Sequence, residues 1–226
     1  MKSNEDVCCT QKRIMICSAL ANIPFTACLQ AVKTLNFAEI RIDLLDLSEA
    51  ELTTLFSTNS NLIATCRPGK YNDDERKVFL LRSIDAGAAY VDVEVETGDA
   101  FKQEVLAAAK AKYCQTIISY HDFEKTPPRA ELDHIVTWCS EFKPDVIKIA
   151  CMINSARDNA RLIGLLDTDK RMLVVGMGEQ GKITRVVAPL LGSICTFASY
   201  ATDKATAPGQ LFKDDLESRI TDLQQL

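Results

Sequence analysis

Apolar positions recur along this chain in two alternating rhythms. Short β-rich runs fall at Arg13–Ser18, Ala38–Asp43, Leu62–Cys66, Tyr90–Glu94, Thr116–Tyr120, Asp145–Ala150, Met172–Gly176 and Ile194–Ser199, and they read as strands. Longer stretches near residues 26–36, 48–57, 73–87, 99–112, 128–142, 155–166, 183–191 and 209–224 read as helices. Asp99–Lys112 is alanine-rich with helix-favouring charges, Asn154–Asp158 opens a helix with an N-cap and an early acid, and Pro127–Pro128 suits the entry to a first turn. Strictly alternating strands and helices imply a parallel sheet. Eight such units predict an α/β fold, a single-domain (β/α)8 TIM barrel over residues 13–226. A doubly wound open sheet would need a glycine-rich turn after the first strand, and SALANIPF provides none. Residues 1–12 are polar and are expected to form a flexible tail.

Composition narrows the class further. Hydrophobic residues make up 47% and charged residues 25% of the 226, an ordinary globular balance. The net charge of −5 offers no global field for nucleic acid or an anionic membrane, so an anionic ligand would need local arginines. No apolar run approaches the ~18 residues of a spanning helix. The N-terminus has no apolar signal core, and a cytoplasmic protein is expected. The nine cysteines are scattered, form no CxxC pair and sit mostly in apolar runs, where a free thiol behaves as a small hydrophobe. Reduced thiols are therefore expected, and no metal site, since neither histidine lies at ligand spacing from a cysteine.

Lys148 is the most informative residue. It lies in DVIKIA, where alternation puts Ile147 and Ile149 on one face and Val146, Lys148 and Ala150 on the other. If the isoleucines meet the helices, Lys148 points into the barrel. A lysine there is costly unless it is paired or uncharged, and a neutral amine attacks carbonyls. His121 closes the fifth strand in TIISYHDF, at the strand end where barrel enzymes place their chemistry. An imidazole there suits proton transfer near neutrality, although pairing with Asp122 would make it structural. His134, inside a helical pattern, reads as structural.

Glu39, Arg41 and Asp43 share one parity on the second strand, opposite Ile40 and Ile42. Parallel barrel strands are covered on both faces, so these charges need partners or a ligand. Asp92, Glu94 and Glu96 repeat the pattern and read as charge partners for inward basic groups. Arg67, at the end of the third strand in CRPGK, suits capture of a carboxylate or is a plain surface arginine. Gly176, Gly178 and Gly181 precede a helix carrying Arg185. They are compatible with a phosphate turn, which Glu179 opposes, or with close backbone approach. Thr206–Gln210 (TAPGQ) introduces the last helix and offers Gln210 as donor and acceptor.

Taken together and in order, the E-x-R-x-D strand, CRPG, SYHDF, KIA, G-M-G-x-x-G-x-x-x-R and APGQ resemble the type I 3-dehydroquinate dehydratase family over nearly the whole chain. The resemblance implies a TIM-barrel hydro-lyase of the shikimate pathway, which serves chorismate and aromatic amino acid biosynthesis. Such an enzyme eliminates water from 3-dehydroquinate in a syn sense without metal or organic cofactor, commonly as a homodimer. Its only implied partners are that small-molecule substrate and a second copy, not nucleic acid or membrane. By motif position it implies Lys148 as the Schiff-base lysine and His121 as the general acid and base. Glu39 and Arg41 would meet substrate hydroxyls and Arg185 the substrate carboxylate. Arg67 would also contact substrate, Ser18 and Met177 would line the pocket, and Thr206 and Gln210 would belong to a closing segment. Two positions depart from the pattern. Some members carry a glutamate four residues after the CRPG arginine, where it supports the histidine, and here Tyr71 stands there, leaving Asp73, Asp74 or Glu75 as substitutes or His121 reliant on another group. Thr206 replaces a serine.

Other readings of the same residues stay open at this point. A class I aldolase or transaldolase would also use a barrel lysine, with a phosphate site. A non-catalytic binding barrel would need neither an inward lysine nor its neighbouring histidine. Because the chain ends at Leu226, a fused bifunctional form is not expected.

Overall fold

A computed structural model describes residues 14–200 and 206–225. The tail expected over residues 1–12 lies outside the described residues, as do Cys8 and Cys9. The strands are β1 (Ile16–Leu20), β2 (Ala38–Arg41), β3 (Leu62–Thr65), β4 (Tyr90–Glu94), β5 (Gln115–Asp122), β6 (Val146–Met152), β7 (Met172–Met177) and β8 (Thr196–Ser199). They alternate with helices α1 (Phe25–Thr34), α2 (Glu49–Thr58), α3 (Asp73–Asp85), α4 (Asp99–Ala111), α5 (Arg129–Glu141), α6 (Ala156–Ile163), α7 (Lys182–Val187) and α8 (Lys213–Gln224). The strands pair in parallel in the order β7-β6-β5-β4-β3-β2-β1-β8. Between the two end strands, Ile194 N–H donates to the Met172 carbonyl at 3.0 Å and draws the sheet into a nearly closed ring. This is a single (β/α)8 barrel.

Several expected boundaries move, these three among them. The first strand begins later, at Ile16, and runs on to Leu20. The second stops at Arg41, because Ile42–Leu44 turns into a short 3-10 helix. The last helix starts at Lys213, because the segment before it crosses the barrel mouth instead of winding.

Strand parity sorts the side chains into two layers. Outward residues such as Leu20, Ile40, Ala64, Val91, Ile118, Ile149 and Val174 meet the helices in the main core. Each large aliphatic side chain buried there contributes about 1.5–3 kcal/mol. Inward residues at the bottom of the barrel, including Cys17, Ile63, Tyr90, Ile117, Val146 and Leu173, form a second apolar plug. Above that plug the inward positions turn charged. The seven described cysteines are buried and unpaired. Helix entry follows local chemistry: Ser48 with Glu51 and Asn72 with Glu75 form capping boxes on α2 and α3. The Asp158 carboxylate accepts from the Asn154 and Ser155 amides at the start of α6.

Candidate active site

Above the apolar plug, the barrel mouth encloses a cavity of about 690 Å³. Glu39, Arg41, Arg67, His121, Lys148, Met177, Arg185, Thr206 and Gln210 all line it. The strands bring them there through register: Ser119 sits beside Lys148, and His121 beside Ala150.

Lys148 points inward, as the flanking isoleucines predict, and it is paired rather than alone. Its Nζ donates to Asp92 Oδ2 at 2.9 Å, lies 3.7 Å from Glu39 Oε1, and stands 4.6 Å above the Phe197 ring. Asp92 in turn accepts from both Arg67 terminal nitrogens at 3.0 and 2.7 Å, and from Ser119 Oγ at 2.6 Å. Burial alone would raise the Asp92 carboxyl, but Arg67 and Lys148 outweigh it and hold the group well below the carboxylate range. Arg67 Nη1 also meets Glu94 Oε1 at 2.7 Å, and Arg76 on α3 takes the other Glu94 oxygen at 2.8 Å. Burial would lower the Arg67 guanidinium, but Asp92 and Glu94 raise it. Arg41 is clasped by Asp43 at 2.6 Å. Each of these cations rests on a carboxylate.

Arg185 does not. It is 1% exposed and, among the described residues, donates only to the carbonyls of Phe197 and Pro208, both at 3.3 Å. Its Nε is buried without a partner, and no carboxylate among the described residues answers it. Desolvation pushes this guanidinium down to about 10. A buried cation that faces a cavity and meets two carbonyls but no carboxylate among the described residues is suited to an anion.

His121 also faces the cavity. Burial, with Arg67 and Lys148 nearby, pushes its imidazole well below the ordinary value of 6.5. Its Nδ1 is buried and unpartnered, and the Phe123 ring lies nearly parallel at 6.1 Å. A neutral imidazole held this way accepts protons. His134, in contrast, is exposed on α5 and lines nothing here.

The glycine turn after β7 is filled by the protein itself. Gly176 N–H donates to Thr184 Oγ1, Gly178 N–H to the Pro208 carbonyl and Gly181 N–H to the Gly178 carbonyl. The amides a phosphate would use are thus taken, and the glycines serve close approach: a Cβ on Gly181 would stand 2.5 Å from the Gly176 carbonyl carbon. Across the mouth, Gln210 Oε1 accepts from Thr206 N–H at 2.7 Å and Thr206 Oγ1 at 3.1 Å.

A sequence profile of the type I 3-dehydroquinase family matches residues 23–226. A 3-dehydroquinate dehydratase of Methanococcoides burtonii is 33% identical over 222 residues, covering 93% of this chain and 94% of the relative. The chain belongs to the type I 3-dehydroquinase family. Solved 3-dehydroquinate dehydratases agree in shape. The Clostridium difficile enzyme, solved with covalent modified comenic acid, superposes with a TM-score of 0.83 at 25% identity, covering 94% of this chain and 93% of that one. The Geobacillus kaustophilus enzyme gives 0.84 at 21% identity, covering 94% and 92%.

Within this type I barrel, one expected site residue lies elsewhere. Ser18 is fully buried but does not line the cavity. It shares parity with Leu20 and pairs in register with Ala38 and Ala198, the outward face. Ala19, opposite Glu39, takes the inward position. The substitutes considered for the glutamate that Tyr71 displaces are also engaged elsewhere. Asp73 bonds Arg76, Glu75 caps α3 through Asn72, Asp74 lies 4.0 Å from Lys77, and none lines the cavity. Tyr71 packs its ring on Phe79 at 4.8 Å. The carboxylate that His121 senses most is Asp92.

The sequence reading missed Thr65, Ser119, Phe197 and Arg76. Thr65 Oγ1 donates to Glu39 at 2.9 Å. Thr65 and Ser119 each sit two residues before a recognised site residue and share its parity, a signal that was present. Arg76 gave none: its place in DDERK reads as a solvated helix face, yet it is 2% exposed. Among the described residues, no group of three or more His, Cys, Asp or Glu side chains is placed to hold a metal ion. No helix among them is long and apolar enough to cross a membrane.

Proposed function

We infer that this chain dehydrates 3-dehydroquinate to 3-dehydroshikimate through a Schiff base on Lys148. The observation that carries the reading is Lys148 Nζ, buried on the inner face of β6 beneath a cavity that His121 and the unanswered Arg185 also face. Arg185 receives the substrate carboxylate. Glu39 and Arg41 meet its hydroxyls, Met177 and the Thr206–Gln210 segment close over it, and Arg67 holds the floor.

Once its ammonium has given up a proton, Lys148 attacks the C3 ketone. His121 passes protons as the carbinolamine forms and loses water. The iminium withdraws electrons and acidifies C2–H. His121 is the basic group on the cavity wall suited to take that proton, and it then returns one to the departing C1 hydroxyl. Water releases the product from Lys148. The steps proceed without a cofactor. The same reading takes the protein to be a cytoplasmic homodimer over residues 13–226, a state that light scattering on a sizing column measures directly.

The test is absorbance of the conjugated enone produced from 3-dehydroquinate, combined with borohydride reduction. Turnover together with added mass on the Lys148 peptide is expected. Turnover with Lys148 unmodified would discard the mechanism.

A further inference from the structure

Asp92 differs from the other acids of the site. Glu39, Asp43 and Glu94 line the cavity, whereas the Asp92 side chain is 0% exposed and touches the reacting nitrogen from behind. Arg67, Ser119 and Lys148 saturate its two oxygens. A carboxylate so engaged is a fixed negative charge and not a base.

We propose that Asp92 is the built-in counter-ion of the Lys148 iminium: it accepts the single N–H left when the amine becomes an imine, and keeps that nitrogen charged while electrons flow into it. The proposal rests on the Schiff-base reading above. The balance is closed. The Lys148 ammonium condenses with the ketone, its nitrogen binds C3, and two of its three hydrogens depart with the carbonyl oxygen as water. One positive charge faces Asp92 before the step and one after it, so the site need not reorganise. The remaining N–H, aimed at Oδ2, also fixes the plane of the C=N bond and hence which C2–H bond lies parallel to its π system.

The other titratable groups around Lys148 do not replace Asp92. Glu39, 3.7 Å away, opens to the cavity and accepts from Thr65, leaving it to face substrate. Arg67 is cationic, His121 is held neutral, and Cys17 and Cys195 beneath are pushed up as neutral thiols by burial.

The experiment equilibrates wild type, Asp92→Asn and Ser119→Ala with 3-dehydroshikimate and follows the long-wavelength band of the conjugated iminium against pH. Borohydride and peptide mass locate the adduct. In wild type the band should persist to higher pH than in a free alkylamine imine of the same ketone. In Asp92→Asn its midpoint should fall by about 1–3 pH units, with kcat reduced more than KM. Ser119→Ala keeps the charge and removes the 2.6 Å bond to Asp92 together with the 3.0 Å bond from Arg67 Nη1, so its midpoint should stay or rise. That arm and the wild-type comparison decide the matter if Asp92→Asn does not fold. A Lys148 adduct whose band fades at the pH of the free imine, or with the same midpoint in Asp92→Asn as in wild type, overturns the counter-ion and spares the Schiff base. A Ser119→Ala midpoint that falls as far as in Asp92→Asn also overturns it. Absence of any Lys148 adduct in wild type overturns both.

Discussion

Among the described residues only carbonyl oxygens accept from the buried Arg185 guanidinium, so its removal tests the proposed role in anion binding. Arg185→Ala is expected to raise KM steeply, in line with about 2–5 kcal/mol for a buried charge pair, while borohydride still marks Lys148. An unchanged KM would place the substrate carboxylate elsewhere. At this scale the sequence was informative wherever alternation met a charge. Lys148 between two isoleucines, and Glu39 with Arg41 around Ile40, declared their face. Ser18 failed because its polarity suggested a pocket while its parity, matching Leu20, pointed out. Asp92 was legible as a charge partner, but its contact with Lys148 was not, because that contact joins β4 to β6 across the barrel. Arg76 was hidden because helix charges are usually solvated, and only the tertiary fold brings Glu94 to it.

At the scale of elements, the turn after β7 and the segment entering α8 lock together through backbone. Gly209 has φ +73°, and a Cβ on it would overlap the Gly178 carbonyl oxygen. Gly209→Ala is therefore expected to strain the crossing by about 1–3 kcal/mol. Displacing Thr206 and Gln210 should raise KM, and the same strain should lower the melting temperature by about 2–4 °C per kcal/mol. Steady-state kinetics beside a melting curve check this, and a normal KM would show that the crossing does not contact substrate. The strands and helices themselves were legible because period and burial agree in nearly all of them. The crossing was not: its apolar and turn residues resemble a helix start, and what keeps it unwound is the fit against Gly178.

For the whole molecule, buried titratable groups set the pH limits of stability. His121 and Asp92 both titrate lower in the folded protein than their ordinary values of 6.5 and 3.8. At acid pH the unfolded chain therefore binds more protons, and stability falls with falling pH. The His121 contribution is complete above about 6.5 and is lost as pH falls toward its folded value. The Asp92 contribution is complete above 3.8 and is lost below it. At the other end, Cys28, Cys66, Cys114, Cys139, Cys151 and Cys195 are pushed up to about 12 by burial, so their contribution is complete below 9.0 and lost as pH rises toward 12. Melting temperatures across pH should decline first below about 6.5, and His121→Ala should flatten that first decline. An unchanged slope in the variant would mean that the imidazole is not held neutral by burial.

The barrel ring is stitched strand to strand everywhere except between its two end strands, where the Ile194–Met172 bond joins β7 to the approach to β8. Regions with the fewest shared backbone bonds open at the lowest free energy. Lys148, Asp92 and His121 sit on β6, β4 and β5, in the middle of the stitched sheet, while Arg185, Phe197 and the crossing segment hang from the two strands that flank the join. Lys148, Asp92 and His121 thus stand where the sheet is most fully bonded, and Arg185 with the crossing stands beside its weakest seam, where opening costs least.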